Sequence, residues 1–269
     1  MLSDILLRAP LFLLVAARCL GLILTLPLFS MRTVPGVAKI ALAGYMAYIV
    51  MGLADFAAYG NVLAADGAFT LYFLLLALGE AMIGVIIGFL VAIVFAAFST
   101  AGHFFAFQMG FSASEVYDSL AQVENPLMGQ FFNFTAMLVF MQSHWFQKLF
   151  MKGLVSSLAS LNVFELIAAR EKIITFILAA LSNLFADALV ISLPIMGTLM
   201  LITVCIGLLS KAAPQMNLLS EGFPVMILLS FMIIFTVFPA LIDFFVRSFT
   251  SGLNGIAALL LTAGEGAAQ

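Results

Sequence analysis

Residues 69–98 read FTLYFLLLALGEAMIGVIIGFLVAIVFAAF, a run from Phe69 to Phe98 that carries a single charge, Glu80. As one helix this run would be about 45 Å long, more than the roughly 30 Å hydrocarbon core of a bilayer requires. Working outward, the same texture recurs along the chain. Of 269 residues 65% are hydrophobic and only 9% are charged, and the mean hydropathy is +1.24. A soluble surface needs roughly 25–35% charged residues, so the sequence implies an integral membrane protein.

Further apolar blocks run from Ile5 to Phe29, Val37 to Leu53, Phe131 to Phe146, Ile173 to Leu209 and Val225 to Val246. At roughly 20 residues per crossing plus loops, the length suits about six spans and one helical unit, with no long soluble segment for an appended enzyme domain. Turn signals at Pro27 and Pro35-Gly36 end the first block, and Pro194 is expected to kink or divide the fifth. The segment from Ser99 to Gln130 reads as a polar island, and Ser210 to Pro224 as a second polar connection. Leu154 to Arg170 is mixed and reads as interfacial. Arg18 interrupts the first apolar run and no Ala-x-Ala site closes that run, so the N-terminus reads as a retained first helix rather than a signal peptide. Cys19 and Cys205 read as small buried hydrophobes without a redox role. A net charge of −3 without a Lys/Arg cluster argues against a nucleic-acid partner.

The positive-inside rule does not orient these blocks cleanly. Basic residues fall in Arg32–Lys39 and Lys148–Lys172, while loops 54–68 and 99–130 have none. Simple alternation then puts at least one basic loop on the wrong side. Either a span is misplaced, or the helices are hairpins buried in an assembly; the overlong third and fifth blocks favour the second.

Arg18, Glu80, Asp187 and Asp243 sit in apolar surroundings, where a charge normally faces protein or water. Glu80, Gly84 and Gly88 fall at i, i+4 and i+8, and Gly84-x-x-x-Gly88 is a small-xxx-small pattern that allows close backbone approach. A structural contact at a helix seam is preferred to a proton site, because a relay wants several acids on a shared face. Asp243 and Arg247, at i and i+4, read as a structural pair. His103 and His144 lack metal-ligand spacing, and no nucleophile–base set or phosphate loop is present, so neither a metal, a cofactor nor a catalytic centre is expected. The 28 Phe and 15 Met suit lipid contact, core packing or a deformable seal equally.

Three segments carry a resemblance. They are Thr25-Leu26-Pro27-Leu28-Phe29-Ser30-Met31-Arg32-Thr33-Val34-Pro35; Ile83 to Phe89 continuing to Gly102 and Gln108-Met109-Gly110-Phe111-Ser112; and Gly207 to Lys211 followed by Ala213-Pro214-Gln215-Met216-Asn217 and Gly222-Phe223-Pro224. This is similar to the FliR family of flagellar export-apparatus proteins and its injectisome relatives, called SctT, with the flagellar branch the better fit. The resemblance runs from about residue 10 to 250.

It implies an all-α membrane subunit of a type III export gate in the bacterial inner membrane, with about six to eight long helices or helical hairpins packed in a spiral partly raised above the bilayer. It also implies a single copy beside FliP-like and FliQ-like subunits and an FlhB-like subunit, with unfolded export substrates passing through. Residues 1–172 would resemble a FliP subunit and 173–269 a FliQ hairpin. The loop of Phe107, Gln108, Met109, Gly110, Phe111, Ser112, Val116, Tyr117 and Asp118 would project into the pore as a plug. A fixed turn would involve Lys211, Pro214, Gln215, Asn217, Gly222 and Pro224. Ser119 stands where the family usually has Pro, Ala113 and Val116 stand at often aromatic positions, and Lys211 replaces the usual Arg. The competing reading from the residues alone is a secondary transporter or permease for a small solute, suggested by intramembrane acids and a Pro-broken helix.

Overall fold

The computed structural model describes residues 2–31, 34–52, 71–110, 127–212 and 222–265, and these are almost entirely helical, with no strand among them. In chain order the helices are α1 (Leu2–Thr25), α2 (Pro27–Ser30), α3 (Gly36–Val50), α4 (Leu71–Met109), α5 (Leu127–Gln142), α6 (Trp145–Lys148), α7 (Val155–Ser160), α8 (Val163–Ala168), α9 (Arg170–Ala212) and α10 (Phe223–Glu265). A π-helical turn, Leu149–Leu154, joins α6 to α7. Contacts divide the chain into two units. The first comprises Met1–Ile93, His144–Ala180 and Phe249–Gln269; the second comprises Val94–Ser143 and Leu181–Ser248.

In the first unit, α1 ends where Pro27 forces it to end. The residue before a proline is pushed out of the helical region, and Leu26 is extended at φ −65°, ψ 128°. Pro27 then occupies the first position of α2, where a missing N–H costs nothing. Along α3, Ala43, Met46, Ala47 and Val50 are buried, the i, i+3, i+4, i+7 spacing of a helix with one packed side. Leu14 of α1 meets Phe73 and Leu76 of α4 and Val163 of α8 in one apolar cluster.

The second unit is held by aromatic contacts between α4 and α5, which run antiparallel. Phe95 meets Phe140 at 5.4 Å, tilted, and Phe105 meets Phe132 at 4.8 Å between ring centroids, edge to face, the latter an arrangement that the ring quadrupole favours. Gly102 lets the helices close further, since a Cβ there would lie 2.7 Å from Gly129 Cα and from Met128 O. In α9 the buried positions Leu184, Ala188, Ile191, Ile195 and Leu199 mark a narrow packed stripe. Phe185, Leu193, Met200 and Leu208 on the other sides are exposed.

Several boundaries depart from the sequence reading. The third block does not stop at Phe98: α4 continues through the first third of the polar island to Met109, because Phe98, Ala101, Phe105 and Met109 keep an apolar stripe buried through it. The helix passes through Gly102 and ends at Gly110, whose φ of 84° favours glycine. Pro194 does not divide the fifth block, and α9 is one helix of 43 residues. In an apolar environment neighbouring residues re-satisfy the backbone groups a proline frees. The last helix runs past Val246 to Glu265 because Phe249, Ile256, Leu259 and Leu260 resume a buried stripe beyond the polar residues. Cys19 is buried as expected, but Cys205 is exposed on α9. Three helices, Leu71–Met109, Arg170–Ala212 and Pro224–Leu260, are long and apolar enough to cross a membrane.

Candidate functional site

The first unit contains a buried ion pair. Arg18 of α1 and Glu80 of α4 are each about 1% exposed, and Arg18 Nε donates to Glu80 Oε2 at 2.5 Å. The planar guanidinium offers donors in several fixed directions, and the others are also used. Nη1 donates to Ser157 Oγ of α7 at 3.0 Å, and Nη2 donates to the Leu161 carbonyl at 2.7 Å. Ser157 Oγ in turn donates to the Leu154 carbonyl at 2.7 Å. One arginine thus ties together two helices and the corner between α7 and α8. Among the described residues this is the only ion pair.

The approach of α1 to α4 depends on glycines from both sides. A Cβ on Gly84 would collide with the Arg18 carbonyl oxygen, and one on Gly88 with Thr25 Oγ1. On the facing helix, a Cβ on Gly21 would collide with the Ala81 carbonyl oxygen. The pairing of residues 18 with 80 and 84, 21 with 81 and 85, 22 with 84 and 88, and 25 with 88 rises together along both helices. The two helices therefore run parallel, backbone against backbone. Thr25 Oγ1 bonds back to the Gly21 and Leu22 carbonyls at 2.9 and 3.0 Å, so it leaves no unpaired polar atom at the seam.

Sequence reasoning placed Glu80, Gly84 and Gly88 on one face and left three participants out. Gly21 was readable, since Gly21-x-x-x-Thr25 is itself a small-xxx-small pattern. Ser157 and the Leu161 carbonyl had no such signal. Ser157 reaches Arg18 by way of the π-helical turn, whose Val155 N–H bonds five residues back to Phe150 O. The extra residue changes the facing of everything after it. Ser157→Ala is expected to cost about 2 kcal/mol, the range for a hydrogen bond to a charged group. Unfolding of the purified full chain in graded SDS measures it, and unchanged stability would remove Ser157 from the cluster.

The other singled-out residues fall elsewhere. Asp187 is half-buried in the second unit and its Oδ2 accepts from Ser248 Oγ at 3.2 Å. Asp243 and Arg247 are both exposed on α10 and form no ion pair with each other, contrary to the sequence expectation. At exposed positions the intrahelical pair is worth only about 0.3–0.5 kcal/mol, too little to fix two long side chains. Phe107, Gln108 and Met109 form the last turn of α4, and Gly110 terminates it. Phe111, Ser112, Val116, Tyr117 and Asp118 lie outside the described residues, as do Pro214, Gln215 and Asn217. Lys211 is exposed in the last turn of α9, and Gly222 and Pro224 open α10. Among the described residues no group of three His, Cys, Asp or Glu could hold a metal.

Long apolar helices, close glycine contacts and a charge pair buried between helices define a helical membrane protein whose polar groups hold helices together. Residues 9–252 match the family described as bacterial export proteins, family 1. The chain is 33% identical over 227 residues to the flagellar biosynthetic protein FliR of Bacillus subtilis, covering 84% of this chain and 85% of the relative. It is 32% identical over 191 residues to FliR of Borreliella burgdorferi, covering 71% of each. It is also 29% identical over 174 residues to the surface presentation of antigens protein SpaR of Shigella flexneri, covering 62% of this chain and 65% of that one. The chain belongs to the bacterial export proteins, family 1. It is a membrane-embedded component of a flagellar or type III export apparatus.

Proposed function

We propose that this protein is a pore-forming and assembly subunit of a flagellar export gate in the bacterial inner membrane, passing unfolded substrates and performing no catalysis itself. The observation that carries this reading is the match to an export family across residues 9–252. The geometry supports it in two ways. At 1.5 Å per residue, the 43-residue helices α9 and α10 are each about 65 Å long, roughly twice a hydrocarbon core. Only 22% of their most apolar windows is buried within the chain, so much apolar surface remains for lipid and for other subunits. FliP-like, FliQ-like and FlhB-like subunits are the proposed neighbours around a single copy, with residues 1–172 equivalent to a FliP subunit and 173–269 to a FliQ hairpin. The segment from Phe107 to Asp118, starting from the end of α4 at Gly110, is the proposed plug. The turn from Pro214 to Pro224 is proposed to be fixed rather than mobile.

A transporter for a small solute is less well supported. Of the features that suggested it, the intramembrane acid Glu80 is buried and engaged by Arg18, and Pro194 lies within one continuous helix.

Co-purification tests the assignment: tagged full-length chain is expected to bring down FliP-like and FliQ-like proteins from its native membranes. Solute uptake by the chain reconstituted alone would favour the transporter. Deleting Ser112 to Tyr117 is expected to leave the complex intact and make membranes leak ions. A tight membrane with normal assembly would place the seal on other subunits.

A further inference from the structure

Between α5 and α9 the chain of the first unit folds as a succession of short helices that expose bulky apolar and cationic side chains among neutral ones. Phe164 and Ile167 of α8 are 44% and 59% exposed. Lys148, Arg170 and Lys172 are exposed cations that form no ion pair among the described residues. Glu171 is the exposed acid between the last two, and Glu165 is occupied in the capping box with Asn162, so the segment keeps an excess of positive charge. Lys148 lies over the ring of Trp145, 5.6 Å from its centroid, and Trp145 is buried against Phe249 with ring centroids 5.2 Å apart.

The backbone links these features. Ala169 N–H bonds to Glu165 O at 2.8 Å and Ile173 N–H to Ala169 O at 3.0 Å, so helical turns continue from α8 into α9. Phe164, Ile167 and Arg170 then follow one another at i, i+3 and i+6. Nor is the segment loose, because Arg18 fixes its corner through Ser157 and Leu161.

From these residues we infer that the segment from Trp145 to Lys172 is a binding surface for anionic phospholipid headgroups. Phe164 and Ile167 enter the acyl boundary while Lys148, Arg170 and Lys172 reach the phosphates. Long side chains with apolar stems and charged tips behave this way at an interface. A helical partner is the poorer occupant, because helix contacts inside a membrane favour small residues and this surface presents bulky apolar and long cationic ones. Each cation near an anionic surface adds about 1 kcal/mol, about a fivefold gain in lipid retention.

The test uses the full chain in nanodiscs of phosphatidylcholine alone or mixed with phosphatidylglycerol, with retained lipid counted by native mass spectrometry. Phosphatidylglycerol is expected to be enriched on the protein. Lys148→Gln, Arg170→Gln and Lys172→Gln should each reduce the enrichment about fivefold, and the triple variant should abolish it. Trp145 is the chain's only tryptophan, so an unchanged emission spectrum shows that the Arg170→Gln and Lys172→Gln variants are still folded; for variants at Lys148, which lies over that ring, an unchanged far-ultraviolet circular dichroism spectrum shows it. Equal retention of both lipids, or enrichment that survives the triple variant, would overturn the inference. So would its removal by free inorganic phosphate, which would mark a phosphate site rather than a lipid surface. A chain purified within its native complex that shows no enrichment would mean that a protein covers the segment, with the same consequence.

Discussion

Glu80→Leu is expected to destabilise the protein by about 3–5 kcal/mol, because it leaves the Arg18 guanidinium buried without its countercharge. Arg18→Met should cost about the same for the opposite reason. The double variant Arg18→Met/Glu80→Leu removes both charges and fills the space with apolar atoms. It should recover most of the loss, since replacing a whole buried pair by hydrophobic residues is often neutral. Graded SDS unfolding of the purified chain gives the stabilities, and the yield of assembled complex gives the consequence in the membrane. Loss of yield in both single variants with recovery in the double is the expected pattern. A Glu80→Leu protein that is stable and assembles normally yet exports nothing would sink the structural reading and favour a proton-linked role for Glu80.

The second large effect is expected at Gly84. Any side chain there meets the backbone of α1 at Arg18 and Leu22, and backbone does not give way as the tip of a flexible side chain does. Gly84→Leu should therefore exceed the usual overpacking penalty, at about 3 kcal/mol or more, and it should also pull Arg18 out of reach of Glu80. Gly21→Leu tests the same contact from the facing helix. The control lies on α3, where a Cβ on Gly44 would meet nothing within 4 Å. Gly44→Ala should be neutral or gain up to about 1 kcal/mol from helix propensity. Normal complex yield from Gly84→Leu would dispose of the seam.

The membrane class, the helical character and the face shared by Glu80, Gly84 and Gly88 could be read from the sequence by itself. All three depend on local quantities: an unbroken apolar run of this length suits a helix and not the short, alternating strands of a barrel, and a fourfold spacing along one helix fixes one side of it. The resemblance carried by Gln108-Met109-Gly110 and by Pro214-Gln215-Met216-Asn217 was also legible, because it lies in the order of residues. The helix ends were not legible, since Ser99 to Met109 looks polar by composition. It stays helical because Phe105 has Phe132, and Gly102 has Gly129, to pack against. Pro194, expected to kink or divide the fifth block, likewise lies inside one continuous helix, α9.

Only the tertiary structure could decide which charge answers Glu80. Arg18 lies 62 residues away in sequence, Ser157 a further 77 beyond Glu80, and neither separation leaves a periodic trace. Their meeting depends on α1 and α4 running parallel, on glycines that let the two backbones touch, and on a π-helical turn that aims Ser157 at the guanidinium. A pattern within one helix shows which side needs a partner. Its identity is fixed by the path of the chain between helices, which is a property of packing.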